Sequence, residues 1–230
     1  MHTFLDSKAM AKALRAALAE RGIDIAHSDS LEVVARQFGF DNWNILAARI
    51  EAATPLPLPR GWLAHHHAAY PLHEMGVDPS EPGAVTIVAR ASNDVIGTNF
   101  ATLMQSIAAD DYRGRTLRLS AELRGEDAGS AVLWMRIDPV GGGKSLRFDN
   151  MMLRDVDGPL HGRFGWTERS IVLDVPADAG SIHYGPMLKG GGQLWTRSVR
   201  LDEVPQGTGT TDRRLPRRPT NLGFGPSPEA

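Results

Sequence analysis

The feature that most constrains this fold is a change of hydrophobic period at a run of alternating prolines. Thr54-Pro55-Leu56-Pro57-Leu58-Pro59-Arg60 is closed to helix, because proline lacks an N–H and pushes its predecessor to extended geometry. The run reads as a stiff spacer of polyproline type. Before it, apolar residues recur at helical spacing; after it, they alternate. A chain with both patterns on either side of such a spacer keeps them apart. The expectation is α+β by segregated domains: a small three-helix N-terminal domain over 1–53, a proline-rich linker over 54–60, an all-β jelly-roll sandwich over 61–204 and a mostly irregular tail over 205–230.

In the helical part, Leu5, Met10, Leu14, Ala17 and Leu18 form one stripe, and Gly22 ends it. Ser28-Asp29-Ser30-Leu31-Glu32 looks like a helix start, with Asp29 and Glu32 placed for a capping box. Leu31, Val34, Ala35 and Phe38 follow, then Gly39, and Asp41 is a candidate cap for a third helix carrying Trp43, Leu46, Ala47 and Ile50. A core of Leu14, Leu18, Val34, Phe38, Trp43 and Leu46 is marginal for a unit this small. Beyond the prolines, strands are expected at 70–77, 84–90, 99–107, 115–124, 130–138, 144–149, 169–175, 181–188 and 193–203. Many short strands with no helix between them favour a sandwich, barrel or jelly roll.

Composition narrows the function classes. A formal charge of -2 over 230 residues gives the chain no general attraction for nucleic acid or an anionic membrane. Residues 1–53 carry Lys8, Lys12, Arg15, Arg21, Arg36 and Arg49 against Asp6, Glu20, Asp24, Asp29, Glu32, Asp41 and Glu51. That balance is a poor footprint for phosphates, so an interaction module is preferred to a DNA reader. Cysteine is absent, which removes disulfides, thiolate metal sites and cysteine nucleophiles. Met1-His2-Thr3-Phe4-Leu5-Asp6 shows no secretory pattern, and no apolar run approaches the ~18 residues of a membrane span. A cytoplasmic location is expected, with no membrane partner and no cofactor.

Alternation assigns faces. Over 130–138, Ala131, Leu133, Met135 and Ile137 form the core side, and Val132, Trp134, Arg136 and Asp138 the other. An aromatic followed by a cation and an anion is unusual on a merely solvated face. A ring supplies stacking area, and Arg, Asp or Asn supply directional hydrogen bonds to a flat polar ligand. Trp134, Arg136, Asp149, Asn150 and His183 are therefore the candidate ligand-binding residues, with a small polar ligand or a protein as partner. The competing reading packs Trp134 beneath a loop and makes Arg136–Asp138 a surface ion pair. No catalytic signature stands out; an enzyme would need His183, Asp149 and Glu122, or a metal, to converge in a pocket.

His65-His66-His67 suggests a metal site, but neighbours on an extended chain point to opposite sides, so only His65 and His67 share a face. His73, Glu74 and Asp78 are near in sequence, and a solvated strand edge is the preferred reading. Gly141-Gly142-Gly143-Lys144-Ser145 lacks the first glycine of a phosphate-binding loop, with Asp138 in its place, and a strand follows. It reads as a hairpin turn. In the tail, 205–213 offers nothing apolar to bury and is expected to be mobile. Pro219, Leu222 and Phe224 are apolar, and Leu222 and Phe224 are expected to dock on a groove or sheet edge.

Two stretches carry resemblances. His27-Ser28, Leu31-Glu32, Ala35, Gly39-Phe40, Trp43 and Leu46 are similar to the small helical domain named glyoxalase-related, or glyoxalase superfamily protein, in bacteria. In other chains that domain accompanies a βαβββ glyoxalase fold; the pattern here shows none, so the resemblance implies no lactoylglutathione chemistry. Residues 98–203 resemble a bacterial β-sandwich domain attached to helix-turn-helix regulators and similar in shape to carbohydrate-binding jelly rolls. The matching pieces are Phe100-Ala101-Thr102-Leu103-Met104-Gln105, Asp111-Tyr112-Arg113-Gly114, Leu133-Trp134-Met135-Arg136-Ile137-Asp138, Phe148-Asp149-Asn150-Met151, Val172-Leu173-Asp174-Val175-Pro176 and Gly192-Gln193-Leu194-Trp195. Thr196-Arg197 stands where that family carries an acidic pair, so no calcium role is implied. The preferred function is a non-catalytic binding protein whose sandwich recognises a small polar ligand, carbohydrate-like ones among the candidates, or a protein; the alternatives are a regulatory protein with a structural sandwich and, after it, a metal-dependent enzyme.

Overall fold

The computed structural model describes residues 6–53, 55–68, 71–91, 93–212 and 222. The chain forms two compact units, Met1–Leu56 and Pro57–Ala230, and its class is the expected one, α+β with segregated elements.

The first unit holds α1 (Ser7–Ala19), α2 (His27–Gln37) and α3 (Trp43–Ala53). Ala11, Val34, Ala35 and Leu46 are fully buried, while Leu14, Leu18, Phe38 and Trp43 are half-buried. The expected capping box does not form. Helix α2 starts one residue earlier, after Ala26, with no side-chain cap. The Glu32 carboxylate instead accepts the Trp43 N–H at 3.1 Å, at the start of α3. Asn42, rather than Asp41, caps that helix by accepting the Ile45 N–H at 3.0 Å. Both serve donors that a helix start leaves orphaned. Gly39 ends α2 at φ 81°, letting the Phe40 N–H return to the Ala35 carbonyl.

The second unit is built from β1 (Leu63–His66), β2 (His73–Val77), β3 (Val85–Ala89), β4 (Phe100–Ala108), β5 (Thr116–Pro139), β6 (Arg147–Asp149), β7 (Leu160–Asp174), β8 (Ala179–Lys189) and β9 (Gln193–Val204). A single helical turn, α4 (Asn93–Ile96), lies between β3 and β4. The hydrogen-bonded order is β1-β4-β8-β5-β9-β3-β2, with β6 and β7 also paired to β5. Strand β5 organises everything. Its first half, Thr116–Leu123, pairs β7 and β9; its second half, Ser130–Asp138, pairs β8, and Met135–Ile137 pairs β6. Register shifts between Leu123 and Ala131 turn the strand from one layer into the other. The expected strands 115–124 and 130–138 are thus one continuous strand. Leu117, Leu119, Leu123, Leu133, Met135 and Ile137 along it are fully buried in one cluster with Ile87, Leu103, Ile171 and Leu188.

Three further differences bear on the tail and the spacer. The Pro57 carbonyl accepts the Val77 N–H at 2.8 Å, so the spacer continues the β2 edge rather than running free. The tail segment expected to be mobile is held to β7 through residue 212: the Thr211 N–H donates to the Val172 carbonyl at 2.8 Å, and the Val172 N–H donates to Thr211 Oγ1 at 2.9 Å. This covers the free edge of β7. Leu222 does not dock; its side chain is 76% exposed. Pro219 and Phe224 lie outside the described residues. Among the described residues, no helix is long and apolar enough to cross a membrane.

Candidate functional site

One layer of the sandwich, in the order β1-β4-β8-β5-β6, turns an outer face to solvent. Because paired residues share a face, the registers define it. His65 opposes Thr102, which opposes Met187, which opposes Val132. Phe100 opposes Lys189. Ser106 opposes His183, which opposes Arg136, which opposes Phe148. Gly185 opposes Trp134. A concavity of about 740 Å³ lies on this face, lined by His65, His67, Thr98, Phe100, Thr102, Met104, Trp134, Arg136, Phe148, Asn150, Met152, Met187 and Lys189.

The floor is apolar and tightly built. Trp134 is only 8% exposed, and its indole N–H donates to Thr102 Oγ1 at 2.7 Å. The Thr102 hydroxyl in turn donates to the Pro186 carbonyl at 2.6 Å. The indole nitrogen is thus spoken for, and only part of the ring surface meets the concavity. Proline in a central strand cannot donate to the ladder, and here it follows Gly185, where a Cβ would sit 1.9 Å from the Leu103 carbonyl oxygen. Gly185 thus lets β4 approach β8 closely at this point. The more open rings stand at the two ends. Phe148 is 46% exposed. Phe100 stacks on His67 with centroids 4.9 Å apart, and His67 Nδ1 is 2.8 Å from Asn99 Oδ1.

Of the five residues singled out from the sequence, Trp134, Arg136 and Asn150 line the concavity, and Asp149 and His183 do not. Asn150 accepts the Met152 N–H at 3.2 Å, which leaves its amide NH₂ unpartnered among the described residues. Asp149 is buried and faces the other way: it accepts the Met151 N–H at 2.8 Å and forms an ion pair with Arg154. Met151 sits at φ 62° in that turn. His183 flanks the concavity on the same face. Its Nδ1 is 2.7 Å from Ser106 Oγ, and its Nε2 is 2.9 Å from Ser181 Oγ and 3.3 Å from Asp138 Oδ2. Burial, then the Arg136 charge, lowers the imidazole pKa, with Asp138 pulling the other way. Asp138 also grips Arg136, at 3.0 Å to Nε and 2.9 Å to Nη2. This chain of bonds fixes the Arg136 fork on the face.

The enzyme alternative named His183, Asp149 and Glu122. Glu122 lies on the first half of β5, paired to Arg197 at 2.9 Å and Ser198 at 3.1 Å, which hold its carboxyl below the usual range. The three groups occupy separate networks. His65 and His67 line the concavity, His66 opposes Ala101, and His73 Nε2 is 2.8 Å from the Gly190 carbonyl. Among the described residues, no three His, Asp or Glu side chains converge as metal ligands. Sequence reasoning missed Phe100, Phe148 and Lys189 as lining residues. The signal for Phe148 was available: it alternates with the buried Asp149 on a short strand.

The second layer carries a further aromatic arrangement. Arg124 lies 4.4 Å over Trp195 and 4.9 Å over Trp166, and Arg197 lies 4.1 Å over Trp166. The Trp195 indole N–H donates to Asp78 at 2.7 Å. Burial would raise the Asp78 pKa, but hydrogen bonds from Ser80, Trp195 and Glu81 outweigh it and hold the carboxyl low. Each cation also has a carboxylate partner, Glu81 or Glu122.

Residues 1–66 match the family model described as Glyoxalase superfamily protein. The chain is also 38% identical over 130 residues to an uncharacterized HTH-type transcriptional regulator, YbfP, of Bacillus subtilis (strain 168). That match spans 54% of this chain and 42% of the relative, so this chain spans less than half the length of the relative. It extends beyond what the helical unit alone holds. Among solved structures, the tailspike protein 4 enzymatic domain of bacteriophage CBA120 matches at 12% identity and a TM-score of 0.44, over 63% of this chain and 20% of that one. The CBM22-1 xylan-binding domain of Paenibacillus barcinonensis Xyn10C matches at 11% identity and a TM-score of 0.40, over 64% of this chain and 88% of that one. A CBM4 structure matches at 12% identity and a TM-score of 0.43, over 66% and 96%.

Proposed function

We propose that this is a binding protein whose sandwich holds a small polar, carbohydrate-like ligand in the concavity above Trp134. The observation that carries this reading is the combination on one sheet face: the exposed ring of Phe148, the partly exposed ring of Phe100, the Arg136 fork, the free Asn150 amide and an apolar floor. A pyranose has a C–H face suited to such rings and a rim of hydroxyls suited to Arg and Asn. Native mass spectrometry of the protein purified from its own host tests it. A retained small molecule, lost in Phe148→Ala and Asn150→Ala proteins of unchanged melting temperature, supports the reading. A molecule retained equally by both variants, or a metal ion in its place, overturns it.

A second reading is favoured by the regulator name of the relative: the helical unit, with six cations and seven acids over 1–53, serves a protein partner and the sandwich supports it. Substitutions at Phe148 and Asn150 would then leave partner capture intact, and substitutions in the helical unit would abolish it.

A further inference from the structure

The concavity is longer than one sugar ring, and its two ends repeat one motif. At one end Phe100, stacked on His67, stands directly opposite Lys189 across the β4–β8 ladder. At the other, Phe148 stands directly opposite Arg136 across the β6–β5 ladder. Arg136 is level with His183 on β8, six residues from Lys189, so the two cations lie roughly 20 Å apart along the strands at ~3.3 Å per residue. Phe100, His67, Lys189, Phe148 and Arg136 line the same concavity.

Charge completes the pattern. None of the lining residues is Asp or Glu. The Lys189 side chain has no ion-pair or hydrogen-bond partner among the described residues. Arg136 spends one side of its fork on Asp138 and is 41% exposed. Between the two ends the lining is Trp134, Met104, Met152 and Met187, with no charge. We infer that the groove takes an acidic oligosaccharide, an extended chain of sugar rings with carboxylates that meet Lys189 and Arg136. This rests on the carbohydrate reading of the groove and adds the length and charge of the ligand. Each end then offers one ring for a C–H face and one cation for a carboxylate, while the apolar floor carries the C–H faces of the rings between.

A single-stranded nucleic acid also combines rings with anions, but two observations disfavour it. Residues 57–230 hold nineteen Lys and Arg against twenty Asp and Glu, a balance that gathers no counterion-releasing phosphate contacts. The uncharged floor would also lie under the continuous phosphates of such a chain, whereas a sugar chain carries its carboxylates at intervals.

Isothermal titration of the full-length protein with a hexamer in which glucuronic acid alternates with N-acetylglucosamine, its methyl ester and an oligothymidylate tests the inference. The acid is expected to bind, the ester to bind roughly tenfold or more weakly, and the oligothymidylate weakest. Lys189→Gln is expected to weaken the acid part of the way to the level of the ester while leaving the ester unchanged; the side chain has no partner to strand. Arg136→Gln, which removes hydroxyl contacts as well as a charge, is expected to weaken both acid and ester, the acid more. Equal binding of acid and ester, with Phe148→Ala abolishing both, overturns the charge inference and leaves the groove reading standing. Tighter binding of the oligothymidylate overturns it in favour of nucleic acid. No binding of any probe overturns the inference, and ester binding that survives Phe148→Ala removes the groove reading as well.

Discussion

At Thr102 one hydroxyl joins three strands: it accepts from the Trp134 indole on β5 and donates to the Pro186 carbonyl on β8. Thr102→Val keeps the shape and leaves a buried indole N–H without an acceptor, at a cost of roughly 1–3 kcal/mol. Urea unfolding is expected to report a lower midpoint at unchanged slope; an unchanged midpoint would show that the pair does not support the floor. His183 gives a pH dependence. Its folded-state pKa lies below the ordinary imidazole value of about 6.5, from burial and Arg136, so the unfolded chain binds the proton more readily. Stability is then full above about pH 6.5 and declines as pH falls toward the lowered value. Melting temperatures taken from pH ~7.5 down to ~5.5 are expected to fall less steeply in His183→Gln than in the parent, and parallel curves would refute the assignment. His66 is shifted the same way, by burial and then by His73 and His65, so part of the slope survives the substitution. Trp134 and Arg136 were legible from alternation alone. The fate of Asp149 was not, because it depends on Arg154 five residues on and on a turn at Met151 that no periodicity reveals.

Strands were read well where alternation was clean and badly where a bulge kept the pairing through polar residues. Arg124-Gly125-Glu126-Asp127-Ala128-Gly129 has the composition of a loop, yet Gly125, Ala128 and Ala131 pair with Phe164, Gly162 and Leu160 on β7. The strand bends instead of ending, and glycines permit the close approach. At Gly192, φ is 84° and a Cβ would lie 2.1 Å from the Asp127 carbonyl oxygen. Gly192→Ala is expected to destabilise by at least ~2 kcal/mol, since both the backbone and the contact resist it. Gly165→Ala, with an ordinary φ and open space around the Cβ, is expected to stay within ~0.5 kcal/mol. Equal effects of the two in guanidinium denaturation would contradict this account of the bend. The helix starts teach the same lesson: Glu32 satisfies a donor eleven residues away, not its own helix. Thr211 likewise escaped notice because backbone pairing to Val172, not apolar burial, holds the tail segment.

At the scale of the molecule, the two units differ sharply in how much they bury. The main core cluster runs from Met75 to Leu194, with partners as far as Trp62 and Leu201, and none of it comes from the first unit. Among the described residues of that unit, only Ala11, Val34, Ala35 and Leu46 are fully buried apolar residues. Fully burying a Val or Leu contributes on the order of 1.5–3 kcal/mol, while ordering each residue costs about 1–2 kcal/mol of backbone entropy. Hydrogen-bonded helices narrow that gap, but chains this short sit at the margin of independent folding. The sandwich, by contrast, has every lining residue of the concavity and every strand of its sheet between Pro57 and Val204. Expressed separately, residues 57–230 are expected to melt in one cooperative transition by circular dichroism and to bind the acidic hexamer with the affinity of the full chain. Residues 1–56 alone are expected to show a broad, shallow loss of helix with temperature. A sharp transition in the short fragment would mean that capping by Glu32 and Asn42, together with the half-buried Leu14, Leu18, Phe38 and Trp43, supplies more than four buried side chains suggest. A sandwich fragment that folds but loses the hexamer would place part of the binding energy outside the groove.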